Sequence, residues 1–143
     1  MAGGKGETMK KKLILIGWII GILFPFGWLT KYSDSYRQAF DAVFGPLWVH
    51  ILMHSLLYAV LAYLLAGLLL RIRFTGISRY HLSLSLVLIL IIALGQEGFQ
   101  LLYLGRLPGA DEWLDVGVDL AGCSLGLLVF HVRSRMCQRQ AAP

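Results

Sequence analysis

The chain has 143 residues, of which 57% are hydrophobic and only 15% are charged, and its mean hydropathy is +0.69. A water-soluble surface needs more polar side chains than this, so the composition predicts a membrane protein. The formal charge of +5 does not indicate a nucleic-acid partner, because the basic residues fall between apolar runs instead of forming a stripe on a polar domain. We therefore expect contact with membrane lipid and none with nucleic acid.

The chain is long enough for one membrane domain. At roughly 20 residues for each span, 143 residues accommodate about four spans with short connections. We therefore predict an all-α integral membrane protein, a bundle of four transmembrane helices with a short amphipathic helix in the first outer loop. Residues 1–12 are expected to form a disordered cytoplasmic N-terminus, residues 13–132 the membrane domain, and residues 133–143 a basic cytoplasmic tail.

The first predicted span follows a cluster of lysines at positions 10 to 12. Residues 13–29 form an apolar run, and no small-residue cleavage pattern follows it. The run therefore predicts an uncleaved span and not a signal peptide. Met9, which precedes the lysines, is an alternative to Met1 as the native start.

A polar interlude separates the first two spans. Within residues 30–46, apolar residues recur at helical spacing, with Ser33 available as an N-cap and Gly45 before Pro46 as a stop. This pattern predicts a short amphipathic helix that lies on the membrane surface. Its apolar positions are Tyr36, Phe40, Val43 and Phe44.

Three further apolar runs predict the second, third and fourth spans. They cover residues 47–70, residues 81 or 82 to 104, and residues 113–132. Ionisable and hydrogen-bonding side chains interrupt the outer part of each run, and such side chains are costly inside a membrane, so they indicate a functional site. They are His50, His54 and Tyr58 in the second span, Gln96, Glu97 and Gln100 in the third, and Asp115 and Asp119 in the fourth.

The distribution of basic residues predicts the orientation of the chain. If the N-terminus is inside, all 13 Lys and Arg residues except Lys31, Arg37 and Arg106 lie in inner segments. Basic residues concentrate on the cytoplasmic side of membrane proteins. We therefore expect both termini in the cytoplasm and the polar residues of the spans near the outer face of the membrane.

The polar residues of the three spans lie at similar depths. A rise of about 1.5 Å per residue places His54 about 10 Å, Glu97 about 12 Å and Asp119 about 9 Å below the outer boundary. On each helix the polar residues share one face, because they recur at three- or four-residue spacing. Exposure of these faces to lipid would be costly, so we predict that they meet at one site inside the bundle.

Two other interpretations compete with a ligand site. The three carboxylates can instead fix helix packing by bonding Arg106, His54 and the two glutamines, since small membrane bundles use polar groups in this way. His50 and His54, at i and i+4, are spaced for a divalent metal ion, but no zinc-enzyme signature such as H-E-x-x-H surrounds them. We therefore predict neither a metal ion nor another cofactor.

A fixed order of residues runs through the last three spans. A His with a Tyr four residues later is followed by Glu-x-x-Gln, by an Arg, and by an Asp with glycines beyond it. This order resembles the VanZ-like family of bacterial membrane proteins. The matching residues are His54, Tyr58, Glu97, Gln100, Arg106, Asp115, Gly122 and Gly126.

The chain also differs from that family. The family's Asp-Lys pair falls on His50 and Ile51, and its final Asn falls on Asp119. The turn from Arg106 to Asp115 is longer than is usual in the family. The resemblance implies a multi-pass protein of the bacterial cytoplasmic (inner) membrane that acts at the cell envelope. It also implies a relation to antibiotic resistance, because the family's named member is linked to resistance to teicoplanin.

Three functions fit these residues. The first is binding of a lipid-linked molecule, a wall precursor or a glycopeptide-related ligand in an outward-facing polar pocket. The second is acid–base catalysis on an envelope lipid or precursor, with Glu97 or Asp119 as general acid or base and His54 as partner, although the sequence shows no recognisable nucleophile. The third is an accessory subunit that contacts partner membrane proteins or a second copy of itself. The predicted ligand-binding residues are His50, His54, Tyr58, Gln96, Glu97, Gln100, Arg106, Asp115 and Asp119.

Overall fold

The computed structural model describes residues 3–24, 26–72, 79–105 and 107–140. Within these ranges the chain forms α-helices and one 3₁₀ helix, and no β-strand, so the predicted all-α class is confirmed. The α-helices are α1 (Gly3–Leu23), α2 (Asp34–Phe44), α3 (Leu47–Leu70), α4 (His81–Leu104) and α5 (Ala110–Gln140), and the 3₁₀ helix (Phe26–Lys31) lies between α1 and α2.

Three helices are long and apolar enough to cross a membrane. They are α3, α4 over His81–Leu102 and α5 over Ala110–Cys137. The apolar part of α1 is shorter and covers Lys12–Ile22. Among the described residues, three of the four predicted spans therefore meet this criterion.

The span predicted for residues 13–29 is not one uninterrupted helix. α1 ends at Leu23, and the 3₁₀ helix begins at Phe26. The break has a cause in the sequence, because Phe24 precedes a proline and a residue in that position disfavours the helical conformation. The apolar run is therefore divided between two elements.

The first and last described helices extend into the segments that flank the apolar runs. Disorder is expected for residues 1–12, whereas α1 begins at Gly3. A separate tail is expected for residues 133–143, whereas α5 continues to Gln140. Lys, Met, Arg and Gln, which occur in these segments, have high helix propensity. Extension of an existing helix costs much less than nucleation, so the apolar helices continue into the polar segments.

α2 forms where the amphipathic helix is predicted. The Ser33 hydroxyl accepts a hydrogen bond from the Tyr36 N–H at 3.3 Å, and the helix ends at Phe44, directly before the expected stop at Gly45. The rings of Tyr36, Phe40 and Phe44 follow one another along the helix, with centroids 5.9 and 4.7 Å apart. No residue of α2 is fully buried, so its aromatic face remains partly exposed.

The core of the bundle forms around α3. This helix contacts α1, α2, α4 and α5, and its contact with α5 is the most extensive. α1 is joined to it by Trp18, whose Nε1–H donates to the Leu57 carbonyl at 3.0 Å. The buried core residues are Tyr58, Leu61, Ala62, Leu65 and Leu69 of α3, Leu15 and Ile22 of α1, Ile89 and Ala93 of α4, and Cys123 of α5.

Apolar side chains also cover the outside of the bundle. Leu56 on α3, Ile91 on α4 and Leu128 on α5 are 55%, 60% and 58% exposed. Large exposed apolar patches are unusual on water-soluble monomers. The outer surface of the three long helices is therefore compatible with contact with membrane lipid.

Two glycines let α3 and α5 approach closely. A Cβ atom at Gly122 would lie 2.7 Å from Ser55 Cα, and one at Gly126 would lie 2.8 Å from Ala59 Cα. Both distances are shorter than real Cβ atoms show, and a helix backbone cannot rotate away as a side chain can. The absence of a side chain at these two positions therefore sets the distance between the helices.

We predict that Gly126→Ala destabilises the protein. The added methyl group meets the backbone of α3, and overpacking of this kind costs about 1–3 kcal/mol. Thermal unfolding in detergent, followed by circular dichroism, should show a lower midpoint than the wild type. The control is Gly117→Ala on the same helix, where nothing lies within 4 Å of the added Cβ. A Gly126→Ala midpoint equal to that of Gly117→Ala would contradict the close packing.

Candidate functional site

Two histidine–aspartate pairs connect α3 to α5. His50 Nε2 lies 2.8 Å from Asp115 Oδ1, and His54 Nδ1 lies 2.8 Å from Asp119 Oδ1. Both pairs join residues 65 positions apart in the chain, as expected for two parallel helices in register. Residues four positions apart share one face of a helix, so the His54–Asp119 pair lies about one helical turn further along both helices than the His50–Asp115 pair.

These hydrogen bonds determine which nitrogen of each ring carries a hydrogen. An ionised carboxylate only accepts hydrogen bonds, so His54 donates from Nδ1 and His50 donates from Nε2. The two rings lie beside each other, with centroids 4.4 Å apart. In a neutral ring, Nε2 of His54 and Nδ1 of His50 keep their lone pairs. Each histidine therefore has one nitrogen available for a ligand.

The two pairs differ in their exposure. The side chains of His50 and Asp115 are 38% and 16% exposed, whereas those of His54 and Asp119 are 14% and 0% exposed. His50 lies in the first turn of α3, which follows α2 directly. The site is therefore open at the end of the bundle next to α2 and closed one turn deeper.

α4 completes the site. Tyr58 on α3 is almost fully buried and donates its hydroxyl hydrogen to Gln96 Oε1 at 2.8 Å. Glu97, the next residue, is 5% exposed and lies close enough to members of both histidine–aspartate pairs to interact with them electrostatically. The polar faces of three helices therefore meet at one place. We call this group the polar cluster; it consists of His50, His54, Tyr58, Gln96, Glu97, Asp115 and Asp119.

Two carboxylate oxygens in the polar cluster are buried without a partner. Glu97 Oε1 and Asp119 Oδ2 accept no hydrogen bond from any residue that the structure describes. An unpaired polar atom in an apolar environment costs roughly 1–3 kcal/mol, and an unpaired charge costs more. A hydrogen-bond donor, a proton or a cation would remove this cost. Each of these two oxygens therefore lacks, among the described residues, a partner that a bound group could supply.

Two predicted site residues are not members of the polar cluster. Gln100 lies about one turn along α4 from Gln96 and is half-buried, and no hydrogen bond joins it to the cluster among the described residues. Arg106 lies outside the described residues, so its role in the site stays a prediction.

Glu112 is a buried carboxyl group outside the predicted site. It is 6% exposed in the first turn of α5, and it accepts a hydrogen bond from the Gly109 N–H at 2.7 Å. A Glu three residues after the N-cap often reaches back to the backbone in this way. The spacing Gly109-x-x-Glu112 was the available signal in the sequence. Glu112 stabilises the start of the helix that carries Asp115 and Asp119.

A cavity of about 410 Å³ lies at the opposite end of the bundle, between α3 and α5. It is mainly apolar, with Arg71 and Arg133 in its wall, and no described member of the predicted site lines it. The volume of this cavity is therefore not evidence about the polar cluster. The candidate site is identified by chemistry, namely buried carboxylates and histidines from three helices.

Comparison with protein-family models, with curated proteins and with solved structures finds no match to this chain. The resemblance to the VanZ-like family therefore stays a prediction that rests on the order of the motifs. The chemistry of the site has to be judged from its own geometry.

We predict that Tyr58→Phe destabilises the protein by about 0.5–1.5 kcal/mol, because it leaves the half-buried Gln96 oxygen without its donor. The ring and its packing are retained, so the loss reports the interactions of the hydroxyl group. Unfolding by a denaturing detergent, followed by circular dichroism, measures the difference. The control is Tyr63→Phe on the same helix, where the ring packs edge-on against Phe130 outside the cluster. Equal stability of the two variants would argue against the assigned bond.

Proposed function

We propose that this chain is a four-span, VanZ-like protein of the bacterial cytoplasmic membrane that binds an envelope ligand at the polar cluster. The ligand is a lipid-linked molecule, a wall precursor or a glycopeptide-related compound, in keeping with the resemblance to that family. One observation carries this proposal, the two buried oxygens of Glu97 and Asp119 that have no partner among the described residues. Ionisable groups are retained inside a membrane protein when they serve a function.

α1 is the proposed fourth span. Its apolar segment covers Lys12–Ile22, in which Ile14 and Ile16 are 55% and 53% exposed. Leu15 and Ile22 of the same helix are buried against the core. A helix that packs on three apolar spans and keeps an apolar exterior is more stable in lipid than in water.

The positions of the basic residues support an orientation with both termini in the cytoplasm. The connection between α3 and α4 and the end of α5 contain Arg71, Arg79 and Arg133, and the start of α1 contains the lysine cluster. Basic residues prefer the cytoplasmic side. This orientation puts the polar cluster near the outer face, where envelope ligands occur.

We predict that a fluorescent protein fused after Pro143 folds and fluoresces, because such reporters mature in the cytoplasm. Alkaline phosphatase fused at the same position should be inactive, since it requires an oxidising compartment. Alkaline phosphatase fused after Pro46, at the end of α2, should be active. The reverse pattern of activities would place the polar cluster at the cytoplasmic face.

The chemistry of the cluster defines what the ligand must offer. Carboxylate oxygens accept hydrogen bonds, so the ligand has to bring donors or positive charge to Glu97 and Asp119. Hydroxyl and amide groups, such as those of a saccharide–peptide wall precursor, are donors. The partly exposed His50–Asp115 pair gives access from the membrane surface. The apolar exterior of the long helices is suited to the chain of a lipid-linked ligand.

Acid–base catalysis is the second candidate function, and the His54–Asp119 pair favours it. A carboxylate bonded to Nδ1 orients a histidine so that its Nε2 can accept a proton. Glu97, the third carboxyl group of the cluster, is the candidate for a second acid–base group, as the sequence predicts. No Ser, Cys or Lys belongs to the polar cluster, so the nucleophile would be water or one of the cluster's own carboxylate, imidazole or phenol groups.

We predict that Glu97→Gln and Asp115→Asn lose the ligand while the protein still accumulates in the membrane. Hydrogen bonds to charged groups contribute about 1.5–3 kcal/mol, which corresponds to a roughly ten- to hundredfold loss of affinity for each variant. Mass spectrometry of molecules that co-purify with the chain in mild detergent measures this loss. Asp41→Asn, in the exposed part of α2, is the control.

The outcomes separate the three candidate functions. Normal membrane levels with loss of the co-purifying molecule support ligand binding. A changed envelope lipid or wall precursor in cells that express the wild type, but not in cells that express Glu97→Gln, supports catalysis. Failure of both cluster variants to accumulate, with Asp41→Asn unaffected, would make the cluster a scaffold and overturn the proposal.

A further inference from the structure

We propose that His50, His54 and Asp115 bind a divalent first-row transition metal ion, with zinc as the reference ion. One ring nitrogen from each histidine and one carboxylate oxygen of Asp115 lie within 4.8 Å of one another. Imidazole and carboxylate are the donors that such ions commonly take from proteins. The sequence predicts no metal because no enzyme signature surrounds the histidines, and the third ligand comes from a distant part of the chain.

The distances suit one ion. Metal–ligand bonds of about 2.0–2.2 Å place neighbouring ligands roughly 3–3.5 Å apart, so donors within 4.8 Å need small side-chain rotations to close around it. His50 Nε2 and Asp115 Oδ1 are already 2.8 Å apart. The ion would lie between these two atoms in place of the hydrogen, and the neutral His50 ring would then carry its hydrogen on Nδ1, so that Nε2 offers its lone pair to the metal.

Asp119 would orient the His54 ring for metal binding. It lies against Nδ1 of that ring at 2.8 Å, which leaves Nε2 with the lone pair that a metal ion needs. Metal-bound histidines usually donate their other ring N–H to a carboxylate or carbonyl group, which fixes the ring orientation. Asp119 has no exposed surface, so it is held firmly in that position.

The charge of the polar cluster also favours a cation. Glu97, Asp115 and Asp119 approach one another, and among the described residues no Lys or Arg forms an ion pair with them. Glu97 Oε1 and Asp119 Oδ2 have no hydrogen-bond partner there either. A divalent ion would offset the repulsion between the carboxylates and lower the cost of burying them.

A metal ion would also specify the ligand class, and this part rests on the proposed function. An ion with three protein ligands keeps a position for water or for an oxygen of a bound molecule. Without a cation, an acidic cluster repels phosphate. With one, it can bind the phosphate of a lipid-linked ligand through the open position.

The test uses the full chain, purified in mild detergent and freed of metal with a chelator. Cobalt(II) is titrated as a coloured substitute for zinc, and zinc is then added to displace it. We expect visible absorption bands that saturate at one equivalent and disappear with zinc. His54→Gln and Asp115→Asn should remove the bands, and Asp119→Asn should retain them with a roughly 10- to 100-fold weaker affinity. His131→Gln, a half-buried histidine far from the cluster, is the control.

Each result supports or overturns the metal site. A wild-type chain without saturable bands, or equal loss in His131→Gln, overturns it. If circular dichroism shows that His54→Gln or Asp115→Asn misfolds, X-ray absorption of the zinc-loaded wild type decides. Two imidazole ligands give characteristic multiple scattering, and a spectrum with fewer than two imidazoles overturns the site.

If metal is absent but the co-purifying molecule is still lost in Glu97→Gln, only the metal inference fails. If metal binds but no molecule co-purifies, only the proposed function fails.

Discussion

Asp119 carries a carboxylate into a bundle whose core is mainly apolar, and it has no exposed surface. Such a group stays buried only where neighbouring groups replace the water that it has lost. His54 does this for one oxygen, and no described residue does so for the other. The Tyr58 hydroxyl lies nearby and donates to Gln96 Oε1 at 2.8 Å. The unpartnered oxygen of this single carboxylate is the feature on which the proposed binding function depends.

The packing of α3 against α5 and the chemistry of the cluster depend on each other. Gly122 follows Asp119 by three residues and lies on the same face of α5. Its contact with the backbone at Ser55 brings the helices together one turn below the His54–Asp119 pair. A methyl group at this position would push the helices apart, and a hydrogen bond of 2.8 Å does not survive a large displacement. The glycines therefore act as positioning residues for the deeper pair.

The sequence predicts at which level of the helices the polar residues lie, but it does not predict which of their atoms are in contact. Depth and helical periodicity are enough to bring His54, Glu97 and Asp119 to one level, because the rise and the repeat of a helix are fixed. Which atoms pair depends on helix rotation and spacing, which no local pattern encodes. The helical extension to Gln140 could not be read from hydropathy, since a polar segment that continues an existing helix carries no apolar signal. Glu112 was missed because a buried carboxyl group that caps a helix resembles an ordinary polar residue of a turn.

The gradient of exposure along the cluster limits what can reach its deepest member. Asp119 lies four residues beyond Asp115 on α5, a distance of about 6 Å along the helix axis. The entrance is formed by the His50–Asp115 pair, whose two side chains already touch. A large rigid molecule cannot pass between them without separating α3 from α5, which the glycine contacts oppose. A single ion, or one donor group at the end of a longer molecule, can reach Asp119. For the proposed function, this means that the bulky part of the ligand would lie outside the cluster, next to α2.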